Sequence, residues 1–214
     1  MPKEAIVPNK CRYCRREGVK LFSKGARCNS PRCPIERKGA VAPGVAARTT
    51  THRRRTRVSD YARQLKEKQK LRNYYSIEEK QLKHYFKRAK LKRGETAEIL
   101  IQILESRLDN LVFRLGFVTS RRAARQLISH GHITVNGSKV DISSYLVKKG
   151  EIIGLSTKGL KIPIVEISLK ESKDSVPEWL ERKAAIGMLK RLPEREEIRD
   201  IDVNDQMVVE YYSK

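Results

Sequence analysis

The chain has 214 residues, 47 of them Lys or Arg and 25 Asp or Glu, so it carries +22 at neutral pH, a surplus that calls for a polyanionic partner. With 39% hydrophobic residues it is too apolar and too varied to be wholly disordered, and it should fold as one or two domains. Met1 to Lys10 lack an apolar signal core, and no apolar run nears the roughly 18 residues of a membrane span, which argues against secretion and membrane insertion and for reduced cysteines.

The charge is segregated: residues 1–93 hold 28 basic and 7 acidic side chains, whereas residues 94–214 hold 19 and 18. A charge serving only solubility would be spread more evenly, so the first 93 residues read as the main footprint on a phosphate backbone. Residues 1–39 are loop-rich and bear all four cysteines. Cys11-x2-Cys14, thirteen residues, then Cys28-x4-Cys33 sets two close pairs across a loop, which lets four sulfurs converge tetrahedrally on one ion. Cys11, Cys14, Cys28 and Cys33 are therefore candidate ligands of a structural Zn2+, whose anionic thiolate centre Arg12, Arg15, Arg16, Lys20, Arg27 and Arg32 would stabilise. A four-Cys iron–sulfur cluster and a pair of disulfides fit the same spacing.

Residues 40–57 form a basic linker, in which a Gly/Pro/Ala stretch leads to Arg53, Arg54, Arg55 and Arg57; this run reads as an RNA-contacting arm or as a solvated tail. Residues 58–103 carry helical patterns. Ser59 caps a helix with Tyr61, Leu65 and Leu71; Ser76 and Glu79 form a capping box before Leu82, Tyr85, Phe86 and Ala89, and Gly94 ends that helix. Both helices are basic and amphipathic.

Thr96 caps the next helix, on which Leu104, Leu108, Leu111, Val112 and Leu115 make a buried stripe that stops at Gly116, with Arg107 and Arg114 sharing a face. Thr119 or Ser120 opens another helix and His130-Gly131 closes it. At about 100° per residue, Arg121, Arg122 and Arg125 fall within one arc, away from Ala123, Ala124, Leu127 and Ile128. Arg121 and Arg122 occupy the first turn, where the helix dipole disfavours cations and a bound phosphate would relieve the conflict. Each arginine alone would pass for a solvated surface residue; their convergence points to RNA. The period then switches to strand at His132 to Val135, and Asn136-Gly137 favours a type I′ hairpin returning through Ser138, Lys139 and Val140. His130 and His132 lack a nearby nucleophile and carboxylate, so they suit packing, ring stacking or sugar and phosphate hydrogen bonds rather than acid–base catalysis. Asn136, although explained by the turn, and Lys139 join them as RNA-facing candidates. Lys149-Gly150 is a turn before a strand at Glu151 to Leu155, and the nearly neutral residues 156–214 include a strand-like stretch at Met207 to Tyr212.

Leu104-Glu-Ser-Arg-Leu-Asp-Asn-Leu-Val-Phe-Arg-Leu-Gly116 and Ser120-Arg-Arg-Ala-Ala-Arg-Gln-Leu-Ile-Ser-His-Gly-His-Ile-Thr-Val-Asn-Gly137 resemble the RNA-binding module of the bacterial uS4 family of small-subunit ribosomal proteins. Cys14-Arg-Arg-Glu-Gly-Val-Lys-Leu21 shows the same kind of likeness. With Ser59-Asp-Tyr61, Glu67-Lys-Gln-Lys-Leu-Arg72 and Glu210-Tyr-Tyr-Ser213 it resembles the zinc-binding form of that family, in collinear order over nearly the whole chain. The resemblance implies an α+β protein: a zinc-bound N-terminal segment and a mostly helical domain, then a small helix–helix–hairpin RNA-binding domain (S4-type) at 104–155. Residues 156–214 would form an α/β segment returning to the helical domain. It also implies a structural constituent of the 30S subunit, on a cytoplasmic or organellar ribosome, that binds a multi-helix junction in the 5′ domain of 16S rRNA. Such a protein nucleates assembly of the subunit body and helps set translational accuracy with uS5. The implied partners are 16S rRNA, uS3, uS5 and messenger RNA where it enters the subunit, with no membrane and no small-molecule substrate. By resemblance the metal ligands fall on Cys11, Cys14, Cys28 and Cys33, and the RNA-facing arginines on Arg121, Arg122 and Arg125. One departure stands out: Ala42-Pro-Gly-Val-Ala-Ala47, followed by the Thr/Arg run, replaces the family's Pro-Pro-Gly-Gln-His-Gly loop, so the contacts of that Gln and His do not transfer.

Two other classes compete. The same module is attached to RNA-modifying enzymes and tRNA synthetases, but this chain offers no phosphate-cradling Gly loop, open metal site or nucleophile constellation, so it is read as a non-enzyme. A zinc-bearing DNA regulator would suit the basic start but lacks a recognition-helix signature.

Overall fold

Two apolar sets that part at Ser106 and Arg107 build two adjoining cores. The computed structural model describes residues 11–43, 58–171, 176–198, 200 and 202–214, so the run holding Arg53, Arg54, Arg55 and Arg57 lies outside the described residues. The first core is helical. α1 (Cys11–Glu17), a 3-10 turn (Gly25–Asn29) and α2 (Pro34–Lys38) precede its body of α3 (Asp60–Tyr75), α4 (Glu79–Lys90) and α5 (Thr96–Glu105). Ser59 caps α3 as expected, its hydroxyl accepting from the Ala62 N–H at 3.3 Å. Ser76 does not open α4: it closes α3 in the left-handed region (φ 52°) with its hydroxyl donating to the Asn73 carbonyl, and Glu78 takes the N-cap of α4.

The single helix expected from Thr96 to Leu115 is two. Arg107 adopts an extended conformation (φ −68°, ψ 139°) before α6 (Leu108–Arg114). The first amides of α6 are satisfied from outside it, Leu108 N–H donating to Tyr145 O at 2.8 Å and Asp109 N–H to Ser143 O at 3.1 Å. With these orphan donors paired, the chain turns and the leucine stripe divides between the cores.

The second core packs α6 and α7 (Arg121–Ser129) on an antiparallel sheet of β1 (Ile133–Val135), β2 (Ser138–Lys139), β3 (Ile152–Leu155), β4 (Leu180–Lys183) and β5 (Ile186–Leu189), ordered β2-β1-β3-β5-β4. The connection from β3 to β4 runs through α8 (Thr157–Leu160) and α9 (Pro163–Glu171). Ser120 caps α7 by accepting from Ala123 N–H at 3.3 Å, and Asn136 (φ 50°) and Gly137 (φ 82°) form the turn the sequence predicts. Ile133, Val135, Ile153 and Leu189 share this core with Leu111, Leu115, Leu127 and Trp179. The sheet comes so near α6 at Gly187 that a Cβ there would stand 2.4 Å from Leu115 Cδ1.

Met207 to Tyr212 is helical rather than strand-like. It lies in α10 (Asp205–Ser213), opened by Asn204, whose side chain accepts from Met207 N–H at 3.1 Å. Val208 is buried in the first core, Tyr212 stacks on Phe86 with ring centroids 5.0 Å apart, and its hydroxyl donates to Glu79 at 2.8 Å. A short apolar run with a Val208–Tyr212 i,i+4 pair suits either period, and packing against α3 and α4 decides it.

Charged side chains join the cores. Glu105, fully buried, accepts from Arg114 Nε at 3.1 Å and Nη2 at 3.0 Å, from the Tyr75 hydroxyl at 2.6 Å and from Asn110 Nδ2 at 2.5 Å. Arg107 forks onto Asp109 at 3.0 and 2.7 Å and donates to the Tyr85 hydroxyl at 2.6 Å. Arg125 of α7 reaches the same Asp109 at 2.6 Å and donates to the Tyr75 carbonyl at 2.7 Å and to the Ser76 carbonyl at the end of α3. Burial alone would raise the Glu105 carboxyl, but Arg114 beside it holds it below its ordinary value. A carboxylate depressed in the folded state adds stability above its unfolded value and loses it as the pH falls through the folded one. Glu105→Gln should therefore cost about 3–5 kcal/mol at pH 7 in urea unfolding, because Arg114 stays buried with only the half-exposed Asp200 as counter-charge. The gap from the parent should narrow once the pH drops below the ordinary carboxyl value of 4.5; a gap constant down to pH 3 would count against the pairing.

Candidate nucleic-acid interface

Because α4 buries Leu82, Tyr85, Phe86 and Ala89, its other side turns Lys80, Lys83, His84, Lys87, Arg88 and Lys90 to solvent. None of these five Lys and Arg side chains forms an ion pair among the described residues. The neighbouring α3 differs. Lys68 is committed to Glu79 at 2.9 Å and lies over the Tyr211 ring at 4.7 Å, and Lys70 reaches Asp202 at 3.3 Å. The α4 cations were not singled out from the sequence, although their spacing between the core positions marks them.

The arginines singled out on α6 and α7 divide. Arg122 is exposed on α7, as an RNA contact would need. Arg121 is only 5% exposed: its Nε donates to Asn110 Oδ1 at 2.7 Å and its guanidinium lies 4.0 Å from the Tyr74 ring centroid and 4.6 Å from that of Phe113. The expectation of one outward arc for Arg121, Arg122 and Arg125 is thus corrected, because α7 packs its first turn on the rings at the end of α3. The first-turn cation is relieved by an amide oxygen and aromatic faces rather than by a phosphate. Arg125 is half-buried and committed to Asp109, while Arg107 and Arg114 are enclosed in the joint rather than displayed on a shared face.

Around the hairpin the candidates do gather. His130 caps the end of α7 in the open and His132 is half-buried, with ring centroids 6.3 Å apart. Lys139 passes over Gly131 (φ +72°), where a Cβ would come within 2.0 Å of Lys139 Cε. Asn136 is occupied within the fold, its Oδ1 accepting from Ile152 N–H at 2.9 Å.

At the N-terminal segment the four cysteines are free thiols. Burial raises the Cys14 thiol, a backbone hydrogen bond at Leu21 opposes this, and the nearby Cys28, Cys11 and Cys33 raise it further, so the four sulfurs share one neighbourhood. Lys24 N–H donates to Cys28 Sγ at 3.4 Å. The donor set suits a thiophilic ion, yet among the described residues no group of three or more His, Cys, Asp or Glu side chains is drawn together closely enough to hold one.

Two family matches meet end to end at the break between α5 and α6: Ribosomal protein S4/S9 N-terminal domain over residues 8–105 and S4 domain over residues 106–153. Small ribosomal subunit protein uS4 of Thermoanaerobacter sp. (strain X514) is 46% identical over 206 residues, covering 95% of this chain and 96% of that protein. Those of Thermus thermophilus and Natranaerobius thermophilus are 46% and 47% identical, with the same coverage. The chain belongs to the uS4 family. As a uS4 protein it is a ribosomal structural protein and not an enzyme. None of its described helices is long and apolar enough to cross a membrane.

In this uS4 protein the two sets of cations should respond differently to removal. Lys83→Ala with Lys87→Ala should leave the melting temperature within a degree or two, since surface changes of this kind stay within about 0.5 kcal/mol, while weakening rRNA retention on filters. Arg121→Ala should lower the melting temperature by several degrees, having removed a buried cation from its rings and from Asn110; an unchanged melting temperature would show that its burial is incidental.

Proposed function

We propose that the chain is a primary 16S rRNA-binding constituent of the small subunit. In this reading it docks on a multi-helix junction of the 5′ domain, nucleates assembly of the subunit body and helps set translational accuracy. The observation that carries the reading is the meeting of the two uS4 family matches over residues 8–153, with open cationic surfaces on both sides of the joint. The contact residues are Lys80, Lys83, Lys87, Arg88 and Lys90 on α4 and Arg122, His130, His132 and Lys139 beside the hairpin. Arg53, Arg54, Arg55 and Arg57 add an arm. Arg107, Arg114, Arg121, Arg125 and Asn136 act behind this surface, by holding its parts in place. Its neighbours on the cytoplasmic ribosome are uS3, uS5 and messenger RNA near where it enters the subunit; family resemblance supports these. Filter binding to a 5′-domain transcript tests the reading. Affinity should fall with salt at a log–log slope of about −0.7 to −0.9 per phosphate neutralised, and a salt-insensitive affinity would contradict it.

Cys11, Cys14, Cys28 and Cys33 would hold one structural Zn2+. Their spacing, their shared neighbourhood and the small size of the segment they would staple support this. Metal analysis of the purified chain should find about one zinc per molecule, and chelation should loosen residues 11–43 in hydrogen exchange. Iron with acid-labile sulfide would reassign the cofactor, and two disulfides with no metal would remove it.

A further inference from the structure

We infer that the groove between the N-terminal 3-10 turn and the S4 domain receives the base of a single unpaired nucleotide of the bound RNA. This rests on the rRNA-binding reading and adds a specificity site to it.

The groove is open to solvent along one side and offers about 450 Å3; its walls include Ala26, Asn29 and Ser30 from the N-terminal segment and Phe113, Thr119 and Asp200 from the other side. That volume lies in the range of clefts that receive small ligands. The walls are held in place before anything binds. Gly25 (φ +58°) approaches Thr119 so closely that a Cβ would stand 2.6 Å from Thr119 Oγ1, which seats the 3-10 turn directly on the residue preceding the α7 cap. In the wall itself Arg114 is clamped by Glu105 on one side and Asp200 on the other.

The chemistry of the lining selects a base over the phosphate backbone. On a chain of +22, the open surfaces of α4 and the hairpin present cations, and a phosphate would settle there. In this groove the arginine of the lining is already paired with two carboxylates, and one of them, Asp200, is itself part of the wall. A phosphate brought alongside Asp200 would meet repulsion. A nucleobase would meet an acceptor for its N–H groups in Asp200, donors and acceptors in Asn29, Ser30 and Thr119, and the part of the half-buried Phe113 ring that Arg121 leaves uncovered. Aromatic stacking combined with hydrogen bonds to a splayed base edge is the way proteins read single-stranded RNA positions in sequence. The remaining walls bring Gly25, Gly116 and Pro177, small or flat groups that leave room for a ring.

The test uses the full chain as purified, bound to a transcript of the 16S 5′ domain and probed with reagents that modify unpaired base edges. Ala26→Leu fills the groove from the N-terminal wall, Phe113→Leu removes the ring from the S4-domain wall, and Asn29→Ala changes only an exposed amide should either wall variant lose stability. One unpaired nucleotide protected by the parent should become reactive with every folded variant, the rest of the footprint should persist, and affinity should drop by about 5- to 150-fold, the worth of one base–aromatic contact, for Phe113→Leu. An unchanged footprint and affinity would overturn the inference, as would a uniform weakening with no single-base change, which would give the groove to a protein side chain or to the backbone. A parent protein that leaves the whole transcript unprotected would instead overturn the rRNA-binding reading itself.

Discussion

The buried ionic joint of Glu105 with Arg114, and of Asp109 with Arg107 and Arg125, is the constraint on which the rest of the molecule depends. Taking these charges out of water is costly, and apolar side chains of similar size would often serve stability as well. What apolar packing would not supply is direction. A planar guanidinium satisfies a carboxylate in few orientations, so each fork ties α6 or α7 to a particular place on the helical domain. Arg125 shows this best, joining Asp109 of α6 to the carbonyls at the end of α3 in a single side chain. The two domains therefore present their outer surfaces in a set relation, as recognition of a folded RNA junction requires.

The chain thus uses its arginines and lysines for different work. Arginines fill the joint, where a rigid fork meets carboxylate, hydroxyl and carbonyl acceptors, while lysines dominate the outer side of α4, where a hydrated point charge suits a phosphate. Leaving such a row without acidic partners destabilises the free protein through self-repulsion, and a polyanion bound to it offsets that cost. In the nearly neutral second half acidic residues almost match basic ones in number, and several pair, as Arg191 does with Glu197 at 2.5 Å and Arg114 with Glu105 at 3.0 Å.

Local signals were legible in the sequence, and contacts between distant segments were not. Ser59 and Ser120 as caps, and Asn136-Gly137 as the hairpin turn, depend on a few neighbouring residues, and all three stand where their chemistry puts them. The break at Arg107 was hidden because the leucine spacing runs on unbroken while the amides of α6 are satisfied by Tyr145 and Ser143, far along the chain. Helix geometry places Arg121, Arg122 and Arg125 on one arc, but it carries no information that Tyr74 and Tyr75, about fifty residues away, cover one edge of it. Lys83 and Lys87 are placed on the outer side of α4 by their spacing between the core positions, but in a chain this basic only the fold shows that they lack acidic partners among the described residues. The cysteine spacing groups the four sulfurs in two pairs, and the fold brings them to one neighbourhood.

The division between structural and RNA-binding cations is tested most directly by the slope of rRNA affinity against salt in two variants of the full chain. Removing Lys83 and Lys87 together should make that slope shallower by about 1.4 to 1.8, two phosphates' worth. Replacing Arg121 should weaken binding at every salt concentration and leave the slope as it is in the parent. A slope that ignores the two lysines, or one that falls when Arg121 is lost, would contradict the assignment.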